Sequence, residues 1–187
     1  EITYGDWSSD VCSSDLAPKA LSDMLSNPLS VSGFPLTISA PVFRGASSSK
    51  PQALVVVEAA GRQLLLTPSG GRAIGGISLA IAAGDQGGKV KAYERGAWSL
   101  KLSPQTREAV AERGARLVTA LDVPPGKYLL KVAAMDASDG ATRGSVVIDL
   151  DVPDFSKGAL SMSGLAVSSV TEAPVPTVAK DPKLKQM

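Results

Sequence analysis

"LDVPPGKYLLKVAAMD", residues 121–136, is the stretch of sequence that decides the fold. Its two adjacent prolines and Gly126 predict a tight turn, because proline fixes the backbone angle φ and glycine adopts turn conformations that other residues avoid. After the turn, apolar side chains occupy every second position, which is the pattern of a half-buried β-strand. The side chains predicted to share the inward face are Tyr128, Leu130, Val132 and Ala134.

The tyrosine at the start of this strand has a structural interpretation. A Pro-Gly turn that leads into a tyrosine is typical of the tyrosine corner of immunoglobulin-like sandwiches, in which the hydroxyl bonds back to upstream backbone. Because this interpretation accounts for the turn and the tyrosine together, we assign Pro125, Gly126 and Tyr128 structural roles and not catalytic ones.

Strand patterns continue on both sides of this stretch, separated by Gly, Pro and Ser. They are FPLTISA (34–40), ALVVVEA (53–59), QLLL (63–66), ISLAIAA (77–83), KVKAYER (89–95), WSLKL (98–102), ARLVTALDV (115–123) and SVVIDLDV (145–152). Residues 41–51 and 67–76 are predicted loops, and GDQGG (84–88) is a hairpin turn signal. Eight or nine short strands at this spacing predict an all-β, immunoglobulin/fibronectin III-like antiparallel β-sandwich with one short surface helix.

The predicted surface helix lies between two of these strands. Ser103 is a favourable N-cap, proline follows at the first helical position, and Gly114 is placed to end the helix. Just before it, Trp98 alternates in phase with Leu100 and Leu102, so we expect the indole to be buried. Trp98, Ser103 and Gly114 are therefore further structural positions.

The N-terminal segment is excluded from these arguments. Over eleven consecutive residues, DWSSDVCSSDL (6–16) resembles the translation of a common sequencing-library adapter. We interpret residues 1–16 as a disordered assembly artefact; the alternative is a natural disordered terminus. The segment holds four of the 18 acidic residues and none of the 19 basic ones, so without it the net charge becomes 19 − 14 = +5.

The rest of the chain divides into three parts. Residues 17–32 form a lead segment with a short helix, and residues 33–153 form the sandwich domain. Residues 154–187 contribute an extra strand and then a Pro/Lys-rich linker, because the tail has no hydrophobic period. We expect the sequence to be a fragment of a longer protein, cut at both ends.

Composition excludes several function classes. The sequence contains no histidine, and its one cysteine, Cys12, lies in the adapter-like segment. Zinc sites and Ser-His-Asp or Cys-His nucleophiles are therefore excluded. Basic residues are scattered without interleaved aromatics, so nucleic-acid binding is not indicated. No apolar run reaches the length of a membrane helix. We assign no catalytic residue and no cofactor.

Three acids are the only metal candidates, and they are weak ones. Asp149 and Asp151 share one face of a predicted strand, and Asp154 follows just beyond it. Carboxylates at a domain junction can bind calcium. The simpler interpretation is a solvated face opposite the apolar side chains of the same strand, and we predict no metal site.

Several segments resemble a known group of proteins. They include LSNPLSVSGFPLTISAPVFRG (25–45), LVVVEAAGRQL (54–64) and, above all, PPGKYLLKVAA (124–134) with GSVVIDLDVPDFSKGALSMSGL (144–165). Between residue 21 and about residue 185, the chain resembles the region downstream of the von Willebrand factor A-type domain in uncharacterised bacterial proteins. The D-x-S-x-S metal motif of that domain is absent here, so its metal and adhesion functions are not transferred to any residue.

This resemblance implies a role and a location. It implies a non-catalytic structural or interaction module of an exported, extracytoplasmic protein, whose intramolecular partner is the A-type domain or whose contacts are with another protein. The alternative is a sandwich module that binds a small ligand or carbohydrate. An exposed Trp98 beside Tyr93 would favour that alternative, because carbohydrate sites present exposed aromatic side chains. An enzyme would need a deep pocket that brings Glu58, Glu94 or Glu108 together with another acid.

Overall fold

Two stacked β-sheets form the protein. The computed structural model describes residues 2–5, 16–47, 50–138, 140–157, 162–166 and 177–179. The strands are β1 (Ile2–Gly5), β2 (Leu36–Ser39), β3 (Val42–Ser47), β4 (Lys50–Ala59), β5 (Thr67–Ser69), β6 (Arg72–Asp85), β7 (Val90–Leu102), β8 (Ala115–Asp122), β9 (Gly126–Asp136), β10 (Arg143–Val152) and β11 (Thr177–Ala179). The helices are α1 (Leu16–Ser26) and α2 (Pro104–Arg113), and Gly61–Gln63 is one turn of 3₁₀-helix.

The strand order is that of a Greek-key sandwich. The first sheet has the order β1-β7-β6-β9-β10 with β5 on β6, and the second has the order β11-β8-β4-β2 with β3 on β4. Every pair is antiparallel except β11 with β8, which is parallel. The chain crosses between the sheets from β4 to β5, from β7 to β8 and from β8 to β9. The predicted all-β, immunoglobulin/fibronectin III-like sandwich is therefore confirmed.

One apolar core lies between the two sheets. Alternate side chains of each central strand face it, because successive residues of a strand point to opposite faces. The largest of its buried members are Trp98, Phe34, Ile77, Leu79, Ile81, Leu100, Leu102, Leu117 and Leu130. The core is built mainly from aliphatic side chains, as expected from a sequence with few aromatic residues.

Helix α1 covers part of the outer face of the first sheet. Leu21 and Met24 are buried there against Ala80, Ala133 and Met135. Ala80 and Ala133 are direct cross-strand partners on β6 and β9, so small side chains provide the flat surface on which the helix lies. The lead segment therefore packs on the sandwich as a third layer.

Helix α2 connects the two sheets between β7 and β8. The hydroxyl of Ser103 accepts a hydrogen bond from the amide of Thr106 at 3.2 Å, with Pro104 in the first turn. Gly114 ends the helix at φ 78°, and a Cβ there would lie 2.5 Å from the carbonyl oxygen of Ala59. Only Val110 of the helix is buried, so α2 lies on the surface.

We expect the cap of α2 to contribute measurably to stability. Ser103→Ala leaves the Thr106 amide without its side-chain acceptor, so the free energy of unfolding should fall by about 1 kcal/mol. Urea titration followed by circular dichroism measures the change. Gln105→Ala, at an exposed position in the same first turn, is the control. Equal effects of the two substitutions would contradict a capping role.

Four local predictions need correction. Residues 67–76 are not a flexible loop, because Gly70 and Gly71 have φ of 55° and 75° and close a two-residue hairpin between β5 and β6. Within the predicted loop 41–51, Val42–Ser47 forms β3. KVKAYER and WSLKL are one strand, β7, which continues through Gly96. QLLL is not a strand, because the segment after Gly61 crosses between the sheets.

The terminal segments also differ from expectation. Ile2–Gly5, in the part expected to be disordered, pairs with Ala97–Leu100 of β7, whereas residues 6–15 lie outside the described residues. After β10, residues 153–157 and 162–166 contain no strand, whereas residues 158–161 and 167–169 of the expected extra strand lie outside the described residues. Thr177–Ala179, in the expected linker, pairs with β8. Backbone pairing with the exposed edges of β7 and β8 accounts for both short strands, because an edge strand offers unpaired N–H and C=O groups.

Candidate interaction surface

The turn before β9 is fixed by its glycine and tyrosine. Tyr128 is buried, and its hydroxyl donates a hydrogen bond to the carbonyl of Pro125 at 3.3 Å. Gly126 has φ 153°, and a Cβ at this position would lie 2.8 Å from the Tyr128 hydroxyl oxygen. Pro125, Gly126 and Tyr128 therefore form one packed corner where the chain passes from the second sheet to the first.

Trp98 lies inside the sandwich. It is 1% exposed and points into the core beside Leu100. Its indole nitrogen has no hydrogen-bond partner among the described residues. Tyr93, on the same strand, is 51% exposed on the opposite face, so the two aromatic side chains do not form one exposed surface.

The three candidate metal ligands are not brought together. Asp149 and Asp151 are exposed on β10, whereas the carboxylate of Asp154 is engaged locally. It accepts hydrogen bonds from the Ser156 hydroxyl at 2.5 Å and the Ser156 amide at 3.0 Å, and it pairs with Lys157 at 3.1 Å. These contacts, the hydroxyl first, hold the pKa of Asp154 below its usual range. Within the described ranges, no group of three or more potential ligands is close enough to hold a metal ion.

Nor are the three glutamates brought into one pocket. Glu58 pairs with Arg116 at 2.6 Å on the second sheet. Glu94 of β7 accepts a hydrogen bond from the Thr119 hydroxyl at 3.0 Å and so links the two sheets. Glu108 is exposed on α2. The three glutamates therefore lie in three different settings.

One carboxylate is completely buried. Asp136, at the end of β9, accepts the Ser138 amide at 2.7 Å and the Leu65 amide at 3.0 Å. The bond to Ser138 closes the turn after β9, a role that aspartate commonly has in hairpins. The bond to Leu65 ties the crossing segment to the first sheet, and the sequence could not show it because 71 positions separate the two residues.

The outer face of the first sheet carries four exposed apolar side chains. Val90, Tyr93, Leu129 and Val147 are 53%, 51%, 53% and 37% exposed. Cross-strand pairing places Tyr93 opposite Ala82 and Val90 opposite Gly84. Leu129 pairs with the same Gly84 from the other side. We call this surface, made by Val90, Tyr93, Leu129 and Val147 over Ala82 and Gly84, the outer-face platform.

The platform is open and lies beside helix α1. Apart from Gly84 and its two chain neighbours, no atom lies within 4 Å of the position that a Cβ on Gly84 would take. Lys131 stands between Ala82 and Val147 in the sheet, and its ammonium group donates to the carbonyl of Asn27, just after α1. Burial lowers the pKa of Lys131. The lysine therefore joins the end of the helix to the platform.

The sequence does indicate the platform, through apolar residues at strand positions that alternation assigns to the outer face. In YLLKVAAMD and SVVIDLDV, Leu129 and Val147 are apolar at positions predicted to face outward. An aliphatic residue out of phase with the core places an apolar side chain on the second face of its strand. Across one sheet, such positions combine into a patch, and only the cross-strand register shows which of them combine.

Comparisons with known proteins identify no family. No protein-family model matches the sequence, and no curated protein matches it. Among solved structures, the chain is similar to a glycosyl hydrolase family 2 member from Bacteroides cellulosilyticus DSM 14838. The TM-score is 0.40 at 14% identity, and the match covers 63% of this chain and 14% of the hydrolase chain.

Neither of the two helices in the described part of the chain has the length and hydrophobicity that crossing a bilayer requires.

Proposed function

We propose that the protein is a non-catalytic interaction module of an exported protein, and that it contacts an A-type domain of the same polypeptide through the outer-face platform. The observation that carries the proposal is the group of four exposed apolar side chains on one sheet face: Val90, Tyr93, Leu129 and Val147. Exposed apolar patches on folded domains mark contact surfaces, because leaving them in water costs free energy that burial recovers.

The platform suits a contact between domains better than an obligate dimer. Four large side chains cover less than the roughly 800 Å² per partner that a stable complex usually buries. Contacts between domains of one chain can be smaller, because the linker raises the effective concentration of the partner. The platform also continues the layer in which α1 packs on the same sheet, so an added element would extend an existing interface.

The A-type domain is proposed as the partner on the resemblance of residues 21 to about 185. The first step of the test is to sequence the parent gene across codons 1–20 and beyond codon 187. The proposal expects codons 6–16 to be absent and an A-type domain with D-x-S-x-S to be encoded upstream. A natural reading frame that contains codons 6–16, or one without such a domain, would refute this choice of partner.

The second step measures the contact itself. Leu129→Lys should weaken binding of the separately expressed A-type domain at least tenfold, because a buried ammonium group replaces an aliphatic contact. Calorimetry with the two purified domains gives the affinity. The matched control is Leu65→Lys, since Leu65 is 46% exposed outside the platform. Equal affinity for Leu129→Lys and the unmodified module would show that the platform is not the contact surface.

A further inference from the structure

A second surface lies at the other end of the β6–β7 pair. A cleft of about 400 Å³ opens between the β5–β6 hairpin and α2. Its floor is the cross-strand pair of Ala73 and Leu102, both buried. Pro68 lines one wall, and Ala111 of α2 lines the other. A cleft of this size with an apolar lining is typical of sites for small molecules.

Three charged residues are among those that line this apolar cleft. They are Arg72, Arg107 and Glu108. The hairpin turn at Gly70 and Gly71 places Arg72 at the start of β6, and Arg107 lies in the first turns of α2, where its amide bonds to the carbonyl of Ser103 at 2.9 Å. Arg72, Arg107 and Glu108 are all exposed at the cleft.

We propose that this cleft binds a small organic monocarboxylate with an aliphatic body. Guanidinium groups are well suited to carboxylates, because their parallel N–H donors match the two carboxylate oxygens. The apolar floor would receive the aliphatic part. Two arginines and one glutamate give the cleft a net charge of +1, which complements a single negative charge. Glu108 would repel the second charge of a dianion such as phosphate.

This site is independent of the proposed contact with an A-type domain. Strands β6 and β7 are more than ten residues long, and the cleft and the platform lie at their opposite ends. Loss of carboxylate binding would leave the platform proposal unaffected, and the reverse also holds.

The test is a titration of the ¹⁵N-labelled chain with sodium hexanoate, followed by amide chemical shifts. Hexanoate should produce saturable shifts confined to residues 68–73 and 102–111. Hexylamine, which has the same aliphatic body and a positive charge, should produce none, and inorganic phosphate should bind more weakly than hexanoate. Scattered shifts, equal binding of hexylamine or tighter binding of phosphate would overturn the proposed ligand class.

Variants assign the binding to the named side chains. Arg72→Gln and Arg107→Gln should each weaken hexanoate binding about threefold to fivefold, the effect of losing one partly screened ion pair. Glu108→Gln removes a negative charge that repels the carboxylate, so it should tighten hexanoate binding by up to about threefold. The matched control is Arg44→Gln, because Arg44 is exposed on the second sheet, away from the cleft. Unchanged affinity in the double variant Arg72→Gln/Arg107→Gln would refute the site.

Discussion

Replacing Trp98 with alanine is expected to lower the free energy of unfolding by about 3–5 kcal/mol, the range measured when large buried aromatic side chains are truncated. The indole is 1% exposed between the sheets, so its removal leaves a cavity that rigid strands cannot close. Because Trp98 is itself a fluorophore, unfolding in urea is best followed by circular dichroism.

Two further substitutions separate packing from polarity at this site. Trp98→Phe removes the indole N–H, which has no partner among the described residues, and retains an aromatic ring. The relief of an unsatisfied donor should offset part of the lost volume, so the cost should stay below about 1.5 kcal/mol. Tyr93→Ala, on the same strand but outside the core, should cost less than about 1 kcal/mol. A cost below about 1 kcal/mol for Trp98→Ala would place the indole outside the core.

Replacing Asp136 with alanine is the second large effect that we expect. The substitution removes the acceptor of two amides, those of Leu65 and Ser138, at a position that is fully buried. The substitution leaves the two amides without their acceptor and removes both hydrogen bonds to the carboxylate. Together these losses should lower the free energy of unfolding by about 3 kcal/mol. Urea unfolding measures the total. Amide hydrogen exchange at Leu65 should accelerate selectively, because that bond ties the crossing segment to the first sheet.

An exposed carboxylate provides the matched control for Asp136. Asp122 accepts a hydrogen bond from the Gln52 side chain at 2.9 Å on the surface of the second sheet. Asp122→Ala should cost less than about 1 kcal/mol, because water replaces the lost partner. If Asp136→Ala and Asp122→Ala cost the same, the buried carboxylate does not hold the crossing segment in place.

The sequence was sufficient for the fold class because its strongest signals are local. Alternation in WSLKL placed Trp98 correctly in the core, and Ser103, Pro104 and Gly114 marked the ends of α2. The Gly-Gly pair at 70–71 was misleading, because the same residues serve flexible loops and tight hairpins. Gly96 interrupted the pattern of β7, although a single glycine can be accommodated in a long strand.

The surfaces were harder to predict because they combine distant residues. Arg72 and Arg107 line one cleft, but only the pairing of β6 with β7 brings their elements together. Ala80 and Ala133 are small residues on the outward faces of their strands. Small apolar residues at such positions indicate that another element covers the sheet, and here it is helix α1. Alternation shows which face a side chain occupies, but not which neighbouring strand completes the surface.

The most direct test of the proposed module is the solvent exposure of the platform methyl groups. With a soluble gadolinium complex, paramagnetic relaxation of the Leu129 and Val147 methyl groups should be strong in the chain alone. In the parent protein that includes the A-type domain, the same methyl groups should be protected, whereas those of Leu65 should relax equally in both. Equal relaxation of Leu129 and Val147 in the two proteins would contradict a contact through the outer-face platform.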